Sequence, residues 1–212
     1  MTAVLTPIRF SLHTGHFKSS MRSAALDKHG NPLPWYTYPA IDFLGTKDFS
    51  NKSVLEFGSG QSTLWWAKRA KRVVALESDS EWFAYVRSSL PANAEVFLIS
   101  KDLTGLDDNL HDNKFDVIII DGLDRFKAAS RSIGLLQEEG AILVDNSEGY
   151  WGGDATKEYP ILDLFRGAGF NRVDFYGYAP GVILPHCTSL FFKERCFILR
   201  GDENVVRNKL PS

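Results

Sequence analysis

The chain has 212 residues, 44% hydrophobic and 24% charged, with a net charge of −2 at pH 7. That balance suits one globular domain, and it gives no bulk attraction to nucleic acid. No apolar run approaches the roughly 20 residues that span a bilayer, and the N-terminus lacks the apolar core of a signal peptide.

Residues 1–50 read as an irregular segment, a lid on the substrate side. "HGNPLPWYTYPAIDFL" is a proline- and aromatic-rich loop leading into a short helix. His13 and His16 fall in this irregular part, and the five histidines show no zinc-ligand spacing. Residues 51–200 form the main domain, and 201–212 a tail. "KSVLEF", "RVVALE", "AEVFLIS", "FDVIIID" and "GAILVDN" are short and rich in Val and Ile, as buried strands are. Between them "STLWWAKRA", "SEWFAYVRSSL" and "RFKAASRSIGLLQEEG" have helical character, the last stopped by Gly140. "AKRAKR" reads as cations at a helix C-terminus. Alternating strand and helix predict an α/β, doubly wound, mostly parallel sheet with helices on both faces. "YPILDLFRGAGF" is a further helix. "NRVDFYGYAP" and "TSLFFKERCFIL" are strands that add an edge with an antiparallel member. Cys187 and Cys196 read as reduced structural thiols, or as a pair across that hairpin. The expected setting is cytoplasmic.

The stretch "VLEFGSGQST" ends a strand on an acid, Glu56, and turns at once through Gly58 and Gly60. Such a turn opening a helix is a ligand site at the carboxyl end of a parallel sheet, and Ser62 or Thr63 can cap the helix. A dinucleotide fingerprint would want a third glycine where Thr63 stands. An acid this close would repel a pyrophosphate but attract a cationic ligand, such as the sulfonium and ammonium of S-adenosylmethionine. Glu77, ending the second strand, can take ribose hydroxyls. Asp102 can accept from an adenine amino group or cap a helix, and Leu103 can offer its N–H. Trp82 either stacks on adenine or packs in the core. Trp65 and Trp66 read as packing.

Through "VLEFGSGQST", "VVALESD", "KDL" and "FDVIIIDG" the chain resembles the class I S-adenosylmethionine-dependent methyltransferases. The likeness runs from Lys52 to Asn146. It implies a Rossmann-like, seven-stranded sheet whose last strand is antiparallel. It also implies cofactor contacts at Glu56, Gly58, Ser59, Gly60, Ser62, Glu77, Ser78, Trp82, Asp102, Leu103 and Asp121. "PWYTYPAIDFL", "GSGQSTLWWA" and "YAPG…TSLFF" are similar to a group of small bacterial methyltransferases of undefined substrate.

Two further strand ends carry acids. The fourth supplies Asp121, Asp124 and Arg125, and the fifth Asp145, Asn146 and Glu148. Asp121, Asp145 and Asn146 are the candidate catalytic residues. The same three resemble the ligand set of magnesium-dependent, catechol-type O-methyltransferases, where the metal ionises the acceptor hydroxyl. "DGLDRF" lacks the polar group those enzymes carry after the fourth-strand acid. Without a metal, Asp145 or Glu148 is the base, or none is needed. Arg125 binds a substrate anion or pairs with Asp124 or Glu148. Trp35, Tyr36, Tyr38, Tyr150, Trp151 and Tyr178 either wall the acceptor pocket or pack an edge, and the glycines of "YWGGD" suit a closing loop. The expected activity is methyl transfer to a hydroxyl oxygen of a small molecule or saccharide, with S-adenosylmethionine, no nucleic-acid partner and no membrane span. Homo-oligomerisation stays open. The rivals are a nicotinamide-dependent oxidoreductase, a non-catalytic binding module on the same fold, and a transferase using decarboxylated cofactor.

Overall fold

The computed structural model describes residues 5–110, 113–148 and 160–200. Three helices come first: α1 (Thr6–Thr14), α2 (His16–Arg22) and α3 (Tyr38–Gly45). Strands and helices then alternate as β1 (Ser53–Phe57), α4 (Gln61–Ala67), β2 (Arg72–Glu77), α5 (Ser80–Arg87) and β3 (Ala94–Leu98). They continue through α6 (Leu106–Leu110), β4 (Phe115–Ile120), α7 (Arg125–Leu135) and β5 (Leu136–Val144). After α8 (Pro160–Gly167) come β6 (Asn171–Gly177) and β7 (His186–Phe192).

The seven strands form one sheet in the order β3-β2-β1-β4-β5-β7-β6. β1 to β5 run parallel, while β7 lies antiparallel between β5 and β6. The expected doubly wound sheet with an antiparallel last strand is therefore present. Strand order reverses between β1 and β4, so a switch-point crevice opens at their carboxyl ends. The strands are apolar on both faces because both are covered. One face packs Val54, Val117 and Ile119 against Trp65, Trp66, Tyr36 and Phe49. The other packs Leu55, Phe57 and Ile118 against Leu106, Ala128 and Phe165.

Three details depart from the sequence reading. Residues 6–22 are two helices rather than an irregular segment. α1 has no buried residue, so its apolar residues carry no core-facing stripe to read. The α7 helix ends at Leu135, not at Gly140, because β5 already pairs with β4 at Leu136, with a register shift before Val117. A side chain at Gly140 would stand 2.8 Å from the Asp116 carbonyl oxygen. The glycine thus permits a close strand crossing instead of stopping a helix. Finally, "CFIL" holds a single 3-10 turn at Phe197–Leu199, not a strand. Cys187 and Cys196 are both buried free thiols. The cations after α4 behave as anticipated: Arg69 donates to the Trp65 carbonyl at 3.0 Å and stacks 3.8 Å above its ring.

Candidate functional site

The site begins where β1 ends. Gly58 adopts φ 115°, and a Cβ there would lie 3.4 Å from the Gly122 nitrogen. Only glycine lets the β1 turn approach the β4 turn this closely. Asp121 N–H donates to the Phe57 carbonyl at 3.1 Å across the same gap. Glu56, 1% exposed, lies beneath the loop and accepts from Thr63 Oγ1 at 2.5 Å and from Ser62 Oγ. Thr63 Oγ1 in turn accepts the Gly60 N–H at 2.9 Å. Thus Thr63, in the third-glycine position, ties the loop to the acid. Burial pushes Glu56 up to about 8, and the charges of Asp121 and Glu77 add to this against the two hydroxyl bonds.

Glu77 closes the second side. Its carboxylate accepts Ser78 N–H at 2.7 Å, Asp79 N–H at 2.9 Å and Ser59 Oγ at 2.8 Å. The glycine loop and the β2 turn are therefore one hydrogen-bonded unit. Trp82 is not a core residue: it is 41% exposed, donates Nε1–H to the Ser59 carbonyl at 2.9 Å and stacks on Tyr85. Asp102 caps its own turn through Thr104 N at 3.1 Å and Thr104 Oγ1 at 2.8 Å. Those bonds and one to Ser100 hold its carboxyl down at about 2. The Leu103 N–H, expected to face a ligand, instead donates to the Ser100 carbonyl at 2.9 Å. A cleft of about 610 Å³ runs between Ser78, Lys101, Asp102, Leu123 and Asp124. It joins the ends of β2, β3 and β4.

The ends of β4 and β5 are clamped by Arg125. One nitrogen sits 3.4 Å from Asp121 Oδ1, and the other donates to the Ile120 carbonyl at 3.4 Å and to the Asp145 carbonyl. Asp124, one expected partner of Arg125, instead caps α7 through Lys127 N–H at 3.1 Å. Burial raises the Asp121 carboxyl to about 6, against the lowering pull of Arg125. Asp145, 2% exposed, accepts from Thr188 Oγ1 at 2.6 Å. Its carboxyl is pushed well above the ordinary value by burial and then by Asp121. Thr188 Oγ1 also accepts the Thr37 N–H at 3.0 Å, which anchors the N-terminal segment to the site.

Two residues that the sequence reading did not single out, His186 and Thr188, join the acids. His186 Nδ1 lies 3.3 Å from Glu148 Oε1 and 3.2 Å from Asn146 Nδ2. Glu148 also accepts the Cys187 N–H at 2.8 Å. Gln61 Oε1, in the glycine loop, is buried without a hydrogen-bond partner among the described residues. A polar residue within an otherwise buried strand ("HCTSLFF") was the available signal for Thr188.

The residues present do not fit a magnesium ion. Among the described residues, no group of three or more His, Cys, Asp or Glu side chains could hold a metal. The Arg125 guanidinium occupies the space between Asp121 and the Asp145 backbone, where a dication would meet a like charge. Asn146 is turned toward His186.

Of the aromatic candidates, Tyr36 is fully buried and accepts from Trp66 Nε1 at 3.2 Å, so it packs. Trp65 and Trp66 pack edge to face at 4.9 Å. Trp35 is half exposed and donates to the Pro180 carbonyl at 3.1 Å. Tyr38 OH lies 3.3 Å from His16 Nδ1, and Tyr178 is half exposed. Tyr150, Trp151 and the "YWGGD" loop lie outside the described residues.

No protein-family model matches the sequence, and no curated protein does. Solved structures do resemble it. A provisionally assigned O-methyltransferase from Klebsiella pneumoniae shares 17% identity over 90% of this chain and 96% of its own, with a TM-score of 0.60. An rRNA methylase from Streptococcus thermophilus shares 17% identity over 73% of this chain and 96% of its own, with a TM-score of 0.54. A provisionally assigned methyltransferase from Streptococcus mutans, solved with S-adenosylhomocysteine, shares 16% identity over 71% of this chain and 94% of its own, with a TM-score of 0.53. The likeness is one of fold: a Rossmann-like, mostly parallel seven-stranded sheet with an antiparallel last pair. No helix among the described residues is long and apolar enough to cross a membrane.

Proposed function

We propose that the protein is an S-adenosylmethionine-dependent methyltransferase acting on a hydroxyl oxygen of a small-molecule or saccharide acceptor. The observation that carries this reading is Glu56, a buried carboxyl beneath a glycine turn at the switch point. A site that keeps an acid there favours a cationic ligand, and the orphan acceptor Gln61 Oε1 points the same way. Glu56, Gly58, Ser59, Gly60 and Ser62 would hold the methionine end. Glu77 and Ser78 would meet the ribose, and Trp82 the adenine. Asp102 and Leu103 would border the adenine through the turn they form. The bound cofactor supplies an electrophilic methyl group.

A hydroxyl acceptor must lose a proton as it attacks. Asp121 is the base we assign: it is partly exposed, and its carboxyl titrates near 6, close to working pH. Asp145 and Asn146 set the wall beside it, and Arg125 keeps the two strand ends in register. This reading needs no metal.

Calorimetry with S-adenosylhomocysteine, with and without EDTA, tests the assignment. Micromolar binding in both conditions supports it. No binding to that ligand, with binding of NADH instead, would replace it by the nicotinamide-dependent reading.

A further inference from the structure

α1 and α2 present an apolar face that nothing in the described chain covers. On α1, Ile8 and Leu12 are 56% and 62% exposed, with Leu5 just before the helix 58% exposed, while Phe10 on the opposite side packs on Tyr38. On α2, Phe17 and Met21 are 58% and 71% exposed, while Ser19 on the inner side is buried. Spacings of three and four residues line these side chains up on one face of each helix.

The loop before β7 rests on the inner side of α2. Gly181, at φ 75°, presses on α2 so closely that a Cβ would fall 2.7 Å from the Ser20 nitrogen. Its N–H donates to His16 Nδ1 at 3.2 Å. Ile183 and Leu184 follow on the same loop, 81% and 66% exposed.

Charge selects the occupant. Residues 1–26 hold Arg9, Lys18 and Arg22 and no Asp or Glu; with a chain total of −2, the remainder carries −5. No ion pair involves those three cations among the described residues. Large apolar residues flanked by unpaired cations, on helices too short to span, are the pattern of a surface that lies in a lipid interface. The remainder of the chain is net acidic, so it supplies no bulk attraction to an anionic membrane. The loop that carries Ile183 and Leu184 leads directly to His186 beside Asn146 and Glu148.

We propose that α1, α2 and the Ile183–Leu184 loop dock the protein on an anionic lipid surface, with the acid-lined end of the sheet close to that surface. Flotation with phosphatidylcholine vesicles, with and without an equal share of phosphatidylglycerol, tests this. Wild type should float with the anionic vesicles and release as salt is raised. Replacing Arg9, Lys18 and Arg22 together by Gln should lower partitioning about 100-fold, at roughly fivefold per cation near the surface. Phe17→Ser with Ile183→Ser and Leu184→Ser should abolish it. Five of the six positions are solvent-facing and Lys18, half-buried, donates to the Lys28 carbonyl at 2.9 Å; unchanged S-adenosylhomocysteine binding by each variant would separate loss of docking from loss of fold. Wild-type protein that ignores anionic vesicles would overturn the proposal, as would variants that float like wild type. So would a wild-type chain that sizes as a dimer or binds duplex RNA while ignoring vesicles.

Discussion

Glu56→Gln is the sharpest perturbation of the site because it removes one charge and almost no volume. In the free protein the carboxyl titrates near 8, so at pH 7 about a tenth of it is ionised. A ligand bearing an ammonium or sulfonium group binds the ionised form, so binding must release a proton. Wild-type affinity for S-adenosylhomocysteine should therefore climb with pH, by about 50-fold between pH 6 and pH 8. The variant should bind about 10- to 100-fold more weakly at pH 8, the range of one charge-assisted contact, and its affinity should lose the climb. Stability supplies an independent readout. A carboxyl whose folded value, about 8, exceeds the ordinary 4.5 stabilises the fold fully below pH 4.5. That contribution is lost as pH rises through 8, amounting to about 5 kcal/mol at ~1.4 kcal/mol per pH unit. Glu56→Gln cannot titrate, so its urea midpoint should fall less between pH 5 and pH 8 than that of wild type. Calorimetry in two buffers of different ionisation enthalpy counts the proton directly. Equal pH slopes for the two proteins, in affinity and in stability, would refute the assigned role of Glu56.

Thr188→Val should cost about 1–3 kcal/mol in urea unfolding, because it leaves both the Thr37 N–H and Asp145 without their partner. Asp121→Asn should lower methyl transfer to a hydroxyl acceptor by about 100-fold or more, measured as S-adenosylhomocysteine release. Its affinity for S-adenosylhomocysteine at pH 7 should rise modestly, because the Asp121 charge helps to raise the Glu56 carboxyl. EDTA should change neither binding nor turnover, since Arg125 stands where a dication would sit; restoration of activity by magnesium after chelation would contradict that reading.

The sheet was legible because each of its central strands is a continuous apolar run buried on both faces, as with Val117 to Ile120 in β4. The glycine-loop half was legible for a related reason. Glu56, Gly58, Ser62 and Thr63 lie within eight consecutive residues and so stand out together, although Ser62 and Thr63 read as helix caps and both hydroxyls turn to Glu56. Arg125 was legible as an ion-pair residue, but its contact with Asp121 was not foreseen. Asp124 is consumed by the first turn of α7 through Lys127 N–H, a local bond that outcompetes the neighbouring guanidinium.

The other half of the site is assembled across the chain. Thr37 meets Thr188 at a separation of 151 residues, Thr188 meets Asp145 at 43, and His186 meets Glu148 at 38. No short pattern encodes such pairings; they follow from β7 inserting antiparallel beside β5 and carrying His186 and Thr188 to the acid-bearing strand ends. The two halves therefore answer to different constraints. The loop half is held by bonds among near neighbours and by the Gly58–Gly122 approach, which leave little room for change. The other half is held by β7, which lies between β5 and the edge strand β6, by a segment from the N-terminal region and by a loop resting on α2. Under the proposed function, a change at His186 or in residues 178–185 is therefore expected to alter acceptor choice while leaving the bonds of Glu56 to Ser62 and Thr63 as they are.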